Sequence, residues 1–195
     1  MLTLWRKRGA ETAGAEATQA RPQSRLELFE EIILPHLNAA HNLARWLTRR
    51  DEDAQDLVQE SYLRAFRFFD SYKGGDSKAW LLTIVRNTCR TWHRRNIHEN
   101  EAVPFDELAH SGEEPAPDPE QRIAEGEKIG VLRTCIERLP VDFREVLVMR
   151  ELEEMSYRQI AEVTGLALGT VMSRLARARQ RLEQCAASRS LGAAG

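Results

Sequence analysis

Ser156-Tyr-Arg-Gln-Ile-Ala-Glu-Val-Thr-Gly-Leu-Ala-Leu-Gly-Thr-Val-Met-Ser-Arg-Leu-Ala-Arg-Ala-Arg-Gln-Arg-Leu182 reads as two short helices about a glycine turn. Ser156 with Gln159 three residues on has capping-box spacing, which predicts a helix start there. Ile160, Ala161 and Thr164 then share the inner face, and Gly165 can take the left-handed geometry that ends the helix. In the second helix Val171, Leu175, Ala178 and Leu182 step by four, three and four residues, which makes one buried stripe. Thr170, Ser173, Arg174, Arg177 and Arg181 lie together about a quarter-turn away, at ~100° per residue. Short residues at the helix start and arginines further along suit a helix lying in the major groove between phosphate rails. The charges alone fit a surface helix with solvated arginines equally well. Cap, turn and split stripes in combination predict a DNA-reading helix-turn-helix.

Working outward, 195 residues suffice for two small domains or one medium one. The 28 Lys and Arg against 30 Asp and Glu argue against a general nucleic-acid binder, until their distribution is considered. Residues 96–119 hold seven acids and no Lys or Arg, leaving 28 basic against 23 acidic residues elsewhere. The pattern predicts basic modules separated by an acidic tether. Cys89, Cys135 and Cys185 are too few and too scattered for a disulfide framework, and fit a reducing cytosol. No apolar run is long enough to span a membrane, and no apolar stretch follows Arg6, Lys7 and Arg8 to make a signal peptide. A cytoplasmic protein is expected.

Helical periodicity dominates residues 25–95. Phe29, Ile33, Leu37, Ala40, Ala44 and Leu47 repeat every three or four positions, with Pro35 set to kink or split the element. A second helix is expected to open at Asp51 or Asp53, either of which can cap it, with Ala54, Leu57, Val58, Tyr62, Ala65, Phe66 and Phe69 inward. Tyr72 to Ser77 is a turn by composition, and a third helix follows over 78–95 with Trp80, Ile84, Thr88 and Trp92 on one stripe. The four prolines of residues 96–119 mark a linker. Beyond it Ile123, Leu132, Ile136 and Leu139 are inward positions, Pro140 stops the helix, and Val141–Leu152 forms the next. Residues 1–24 and 186–195 are expected to be disordered, with fraying after Leu182. The fold class is all-α, with two small helical domains over 25–95 and 120–185.

Motifs for catalysis are missing: no phosphate-cradling glycine loop, His-Glu-x-x-His, Cys-x-x-Cys or Gly-x-Ser-x-Gly occurs. The five histidines do not share metal-ligand spacing, and Cys89 with His93 is only half of a zinc site. No enzyme, metal, cofactor or small-molecule substrate is expected. Two other segments carry information. Leu57 and Val58 face inward while Asp56, Gln59 and Glu60 are left outward, as a docking ridge or a solvated face. Residues 80–95 interleave Trp80 and Trp92 with Arg86, Asn87, Arg90, His93, Arg94 and Arg95, without one acid. Arginines that attract a strand, with aromatics and an amide for unstacked bases, suit single-stranded nucleic acid. The two tryptophans fit the core equally well.

In order, these parts resemble the extracytoplasmic-function (group IV) sigma factors of bacteria. Asp56-Leu-Val-Gln-Glu-Ser-Tyr-Leu-Arg-Ala65 is similar to their core-polymerase-binding segment. Ala79-Trp-Leu-Leu-Thr-Ile-Val-Arg-Asn87 is similar to the promoter-melting segment. Leu168-Gly-Thr-Val-Met-Ser-Arg-Leu-Ala-Arg-Ala-Arg179 is similar to the helix that reads the upstream promoter element. The resemblance implies that Asp56, Leu57, Gln59 and Glu60 meet the clamp helices of the largest subunit of core RNA polymerase, the flap of the second-largest subunit being a further contact. It implies that Gly74, Gly75, Asp76, Ser77 and Lys78 receive a flipped base of the minus-ten element, with Trp80, Asn87, Arg90 and Arg94 along the melted strand. Thr170, Met172, Ser173, Arg174, Arg177 and Arg181 would meet the minus-thirty-five element, about one and a half helical turns away. Thr91 stands where some members carry a second asparagine, and Met172 where a basic residue is common. The linker's acids would imitate nucleic acid in the polymerase's RNA path, or serve as a plain tether. An anti-sigma factor is a further implied partner. A simple helix-turn-helix regulator needs neither the acidic ridge nor the aromatic-basic helix, and a decoy of an anti-sigma factor needs no DNA-facing arginines.

Overall fold

Residues 24–96 and 119–192 are described by the computed structural model, so the N-terminal lead-in and the acidic linker lie outside it. Eight α-helices account for the described chain: α1 Arg25–Ile33, α2 Leu37–Thr48, α3 Asp51–Phe68, α4 Ser77–Asn96, α5 Pro119–Arg138, α6 Val141–Glu151, α7 Tyr157–Thr164 and α8 Leu168–Gly192. Pro35 does split the first periodic segment, through a single 3-10 turn at Leu34–His36. Ser24 and Glu27 cap α1 reciprocally. The expected acidic cap of α3 is absent: Arg50 is the cap residue and makes no side-chain capping bond. Asp51 instead begins the helix, facing Arg45 and His41 and accepting from Gln55, where its charge complements the helix dipole.

Helices α1 to α4 enclose Phe29, Ile33, Leu43, Ala44, Ala54, Leu57, Ala65, Leu81, Leu82 and Val85. Phe29 meets Tyr62, Phe66 and Phe69 edge-on, with centroids 5.2–6.3 Å apart. The inner stripe of α4 keeps only Thr88 of the expected one. Leu81, Leu82, Val85 and Cys89 are buried, while Trp80, Ile84 and Trp92 are half-buried at the margin. Aromatic size drew the sequence reading toward the tryptophans, but close packing against α2 selects the smaller aliphatic face.

In the C-terminal half, Ser156 and Gln159 form the reciprocal capping box, and Gly165 ends α7 at φ 68°. Ile160, Val163 and Thr164 are buried on α7, with Ala161 only half-buried. Val171, Leu175 and Ala178 are buried on α8, and Leu182 packs against their cluster. Leu132 is exposed against expectation, whereas Ile136 and Leu139 are inside; Ile123 lies outside the described side chains. No fraying follows Leu182, because α8 continues to Gly192. A disulfide between Cys135 and Cys185 ties that extension to α5, where the scattered cysteines had fitted a reducing cytosol. Cys89 remains free and buried, which pushes its thiol up to about 12.

The two halves share one core. Val146, Met149, Met155 and Ile160 join the cluster built by α2 and α4. Among the described residues no helix is long and apolar enough to cross a membrane, and no three His, Cys, Asp or Glu side chains gather as metal ligands.

Candidate nucleic-acid interface

Helix α3 presents Asp56, Gln59 and Glu60 to solvent, while Leu57 is buried and fixes which way the ridge faces. Glu60 pairs with Arg64 one turn on. Between α3 and α4, Gly74 and Gly75 adopt φ 86° and 99°, conformations that a side chain resists. The Tyr72 hydroxyl donates to the Gly75 carbonyl at 2.8 Å and closes this loop. Asp76 accepts the Ala79 amide at 2.9 Å, so it caps α4. Partial burial raises the Asp76 pKa, but the amides of Ala79 and Lys78 and the Gln159 side chain outweigh it and hold the carboxyl below its ordinary value. Trp80 packs on Tyr72 at 5.3 Å and Phe69 at 6.5 Å, so one edge belongs to the core.

Along α4 the expected basic-aromatic face divides. Asn87 and Arg94 are exposed, but Arg86 is buried and turned inward. Its Nε and Nη2 donate to Glu145 at 2.8 and 3.1 Å. Arg90 donates to Glu145 at 3.1 Å and to Asp142 at 3.1 Å. Burying such groups is costly, and removing one partner of a buried pair typically costs about 3–5 kcal/mol. Arg86 is therefore a structural cation and no free strand contact.

On α8, Thr170, Met172, Ser173, Arg174 and Arg177 lie in the first three turns, with Met172, Ser173 and Arg177 exposed. Arg174 reaches back instead, to 3.5 Å from Asp142 and 3.6 Å from Glu145. Arg181 lies over the Phe143 ring at 5.0 Å. Asn87, Arg90, Arg94 and Arg174 thus line one cleft of about 620 Å³ between α4 and α8. Sequence reading missed Asp142, Glu145 and Glu153, the last taking Lys78 at 2.8 Å and Asn42 at 3.1 Å. The available signal was Arg144-Glu145 standing beside the apolar run Val146 to Met149.

Sigma-70 region 2 matches residues 32–98 and Sigma-70 region 4 matches residues 129–182. Over 150 residues the chain is 35% identical to the ECF RNA polymerase sigma-E factor of Haemophilus influenzae, covering 72% of this chain and 77% of that one. The chain belongs to the ECF sigma factors. It is also 32% identical over 170 residues to ECF RNA polymerase sigma factor SigE of Mycolicibacterium smegmatis, covering 86% of this chain and 65% of that protein's length. The sigma factor RpoE of Bartonella quintana, solved with the anti-sigma factor NepR, superposes with a TM-score of 0.67 at 29% identity. That match covers 82% of this chain and 96% of that one. An ECF sigma factor is a transcription initiation factor, and the region 2 match removes the alternative of a simple helix-turn-helix regulator.

Proposed function

We propose that this sigma factor docks on core RNA polymerase through Asp56, Gln59 and Glu60 of α3, opens the minus-ten element along α4, and grips the minus-thirty-five element with α8. One observation carries the assignment: a solvent-facing acidic ridge and an arginine-bearing recognition helix occur in a single chain matched by both sigma regions. Gly74 to Lys78 form the base-receiving loop, since unstacking one base costs a few kcal/mol that a shaped pocket must recover. Asn87 offers both donors and acceptors to an exposed base edge. Trp80, Arg90 and Arg94 border the same strand, and Thr170, Met172, Ser173, Arg177 and Arg181 follow the upstream duplex with Arg174. The clamp helices of the largest subunit and the flap of the second-largest are the polymerase contacts, and the protein works in the cytoplasm. An anti-sigma factor is a further partner, supported by the solved relative bound to one.

Capture on immobilised core polymerase tests the docking face. Asp56→Ala with Gln59→Ala removes exposed polar groups and no core volume, so each changes stability by no more than about 0.5 kcal/mol. The double variant should fold normally and lose core binding. Full retention of affinity sinks the assignment of this ridge.

A further inference from the structure

The cleft between α4 and α8 draws its lining from both halves of the chain. Arg86, Asn87, Arg90 and Arg94 of α4 line it together with Arg174 of α8, around a space of about 620 Å³. Its apolar lining is Leu47 of α2, Val141 of α6 and Leu166 of the turn before α8. That volume suits one small molecule, since ligand pockets run from about 300 to 1,000 Å³. Among the described residues no Asp or Glu lines it.

Charge in the cleft is out of balance. Arg86, Arg90 and Arg174 share two carboxylates, Glu145 and Asp142, which stand behind the lining. Arg94 has no ion-pair partner among the described residues, so four cations meet two anions. His93, also in the lining, registers the surplus: burial, followed by the charges of Arg144, Arg49 and Arg90, holds its ring below its ordinary value. A field that drives a proton off an imidazole attracts an anion. Donors remain open as well. Arg174 comes no closer than 3.5 Å to either carboxylate, beyond the roughly 2.7–2.9 Å of a good charge-assisted bond. The exposed Asn87 amide has no hydrogen-bond partner among the described residues.

We propose that this cleft binds a free nucleotide, with the phosphate on Arg90, Arg94 and Arg174, the base against Leu47, Val141 and Leu166, and Asn87 at the base edge. A phosphate monoester carries about −1.5 to −2 at pH 7, which matches the excess of two positive charges. Guanidinium forks pair with its oxygens, and the apolar lining takes a base face that bare phosphate lacks. A nucleic-acid strand has the same chemistry, but it would follow α4 alone, whereas these walls come from α2, α4, α6 and α8 at once. Nucleotide binding here needs neither polymerase nor promoter, so it stands or falls apart from the proposed function.

Isothermal titration calorimetry of the full chain with guanosine 5′-monophosphate and adenosine 5′-monophosphate is the test. At least one should bind at a single site per chain, more weakly as salt is raised. Inorganic phosphate lacks the base and the nucleoside lacks the phosphate, so each should bind about tenfold or more weakly. Arg94→Ala removes an exposed side chain, and Leu166→Glu puts a carboxylate on the half-buried apolar wall from the other half of the chain. Both variants should keep the parent's helicity by circular dichroism and lose about tenfold or more in nucleotide affinity. Arg158→Ala, exposed on α7 and outside the cleft, should bind as the parent does. A folded parent that binds neither nucleotide overturns the proposal, as does equal affinity for inorganic phosphate or for the nucleoside. Undiminished affinity in folded Arg94→Ala puts the nucleotide elsewhere and overturns it too. A short single-stranded oligonucleotide that binds where nucleotides do not overturns it in favour of a strand.

Discussion

Arg174 and Arg181 occupy the same helix yet stand in different surroundings, and their variants should differ accordingly. Arg181 lies over Phe143 at the far end of the recognition surface. As a phosphate contact it should weaken binding to every duplex when replaced by alanine, flattening the salt dependence by roughly one unit. Arg174 pairs with the α6 carboxylates, and under the proposed reading it also meets a base or phosphate. Arg174→Ala should relax selectivity at one upstream position at a cost of ~1–3 kcal/mol. If selection from random duplexes returns the same sequences with and without Arg174, it only positions the helix. His93 provides a pH prediction. Burial, followed by the charges of Arg144, Arg49 and Arg90, holds it below its ordinary value of 6.5. The unfolded chain therefore binds more protons just below that pH, and stability falls as the solution is acidified through it. Urea midpoints at about pH 7.5 and about pH 5.5 should drop less for His93→Gln than for the parent, because glutamine cannot take up that proton. An identical drop removes His93 from the account.

Helix by helix, local signals carried the reading where the chain's own neighbours decide the outcome. The capping box at Ser156, the left-handed Gly165, the break at Pro35 and the Val171-Leu175-Ala178 stripe all depend on residues within one or two turns. Local pattern failed where a distant partner decides. Arg86 looked like another outward arginine because its buried partner, Glu145, is 59 residues away. On the extended α8, Cys185 is bonded to Cys135 across 50 residues, a pairing that no local pattern shows. That crosslink yields a stability prediction. Closing a loop of that length restricts the unfolded chain by about 4 kcal/mol in the entropy model. Reduction should lower the unfolding midpoint clearly, and Cys135→Ser with Cys185→Ser should reproduce the loss and abolish its dependence on reductant. An unchanged midpoint shows that the bond adds nothing to the folded state.

At the scale of the whole molecule, two sigma regions legible as separate helical units prove to share a core and a charged seam. Spacing could place Asn87 and Arg90 on one side of α4, but the pairing of Arg90 with α6 lay beyond it. Asn87 is consequently the cleaner probe of melting. Asn87→Ala should leave closed-complex formation largely unchanged and slow opening, less so on a template already mismatched at minus ten. Permanganate reactivity of unpaired thymines measures this, and equal opening on the matched template excludes Asn87 from the step. The broadest claim is that this chain gives core polymerase a promoter. Run-off transcription with purified core enzyme, with and without the chain, on a library of bacterial promoter-region fragments tests it most directly. Discrete transcripts from a small subset of fragments, present only with the chain and lost with Asp56→Ala/Gln59→Ala, are the predicted result. A folded chain that raises no transcript above core enzyme alone contradicts the account.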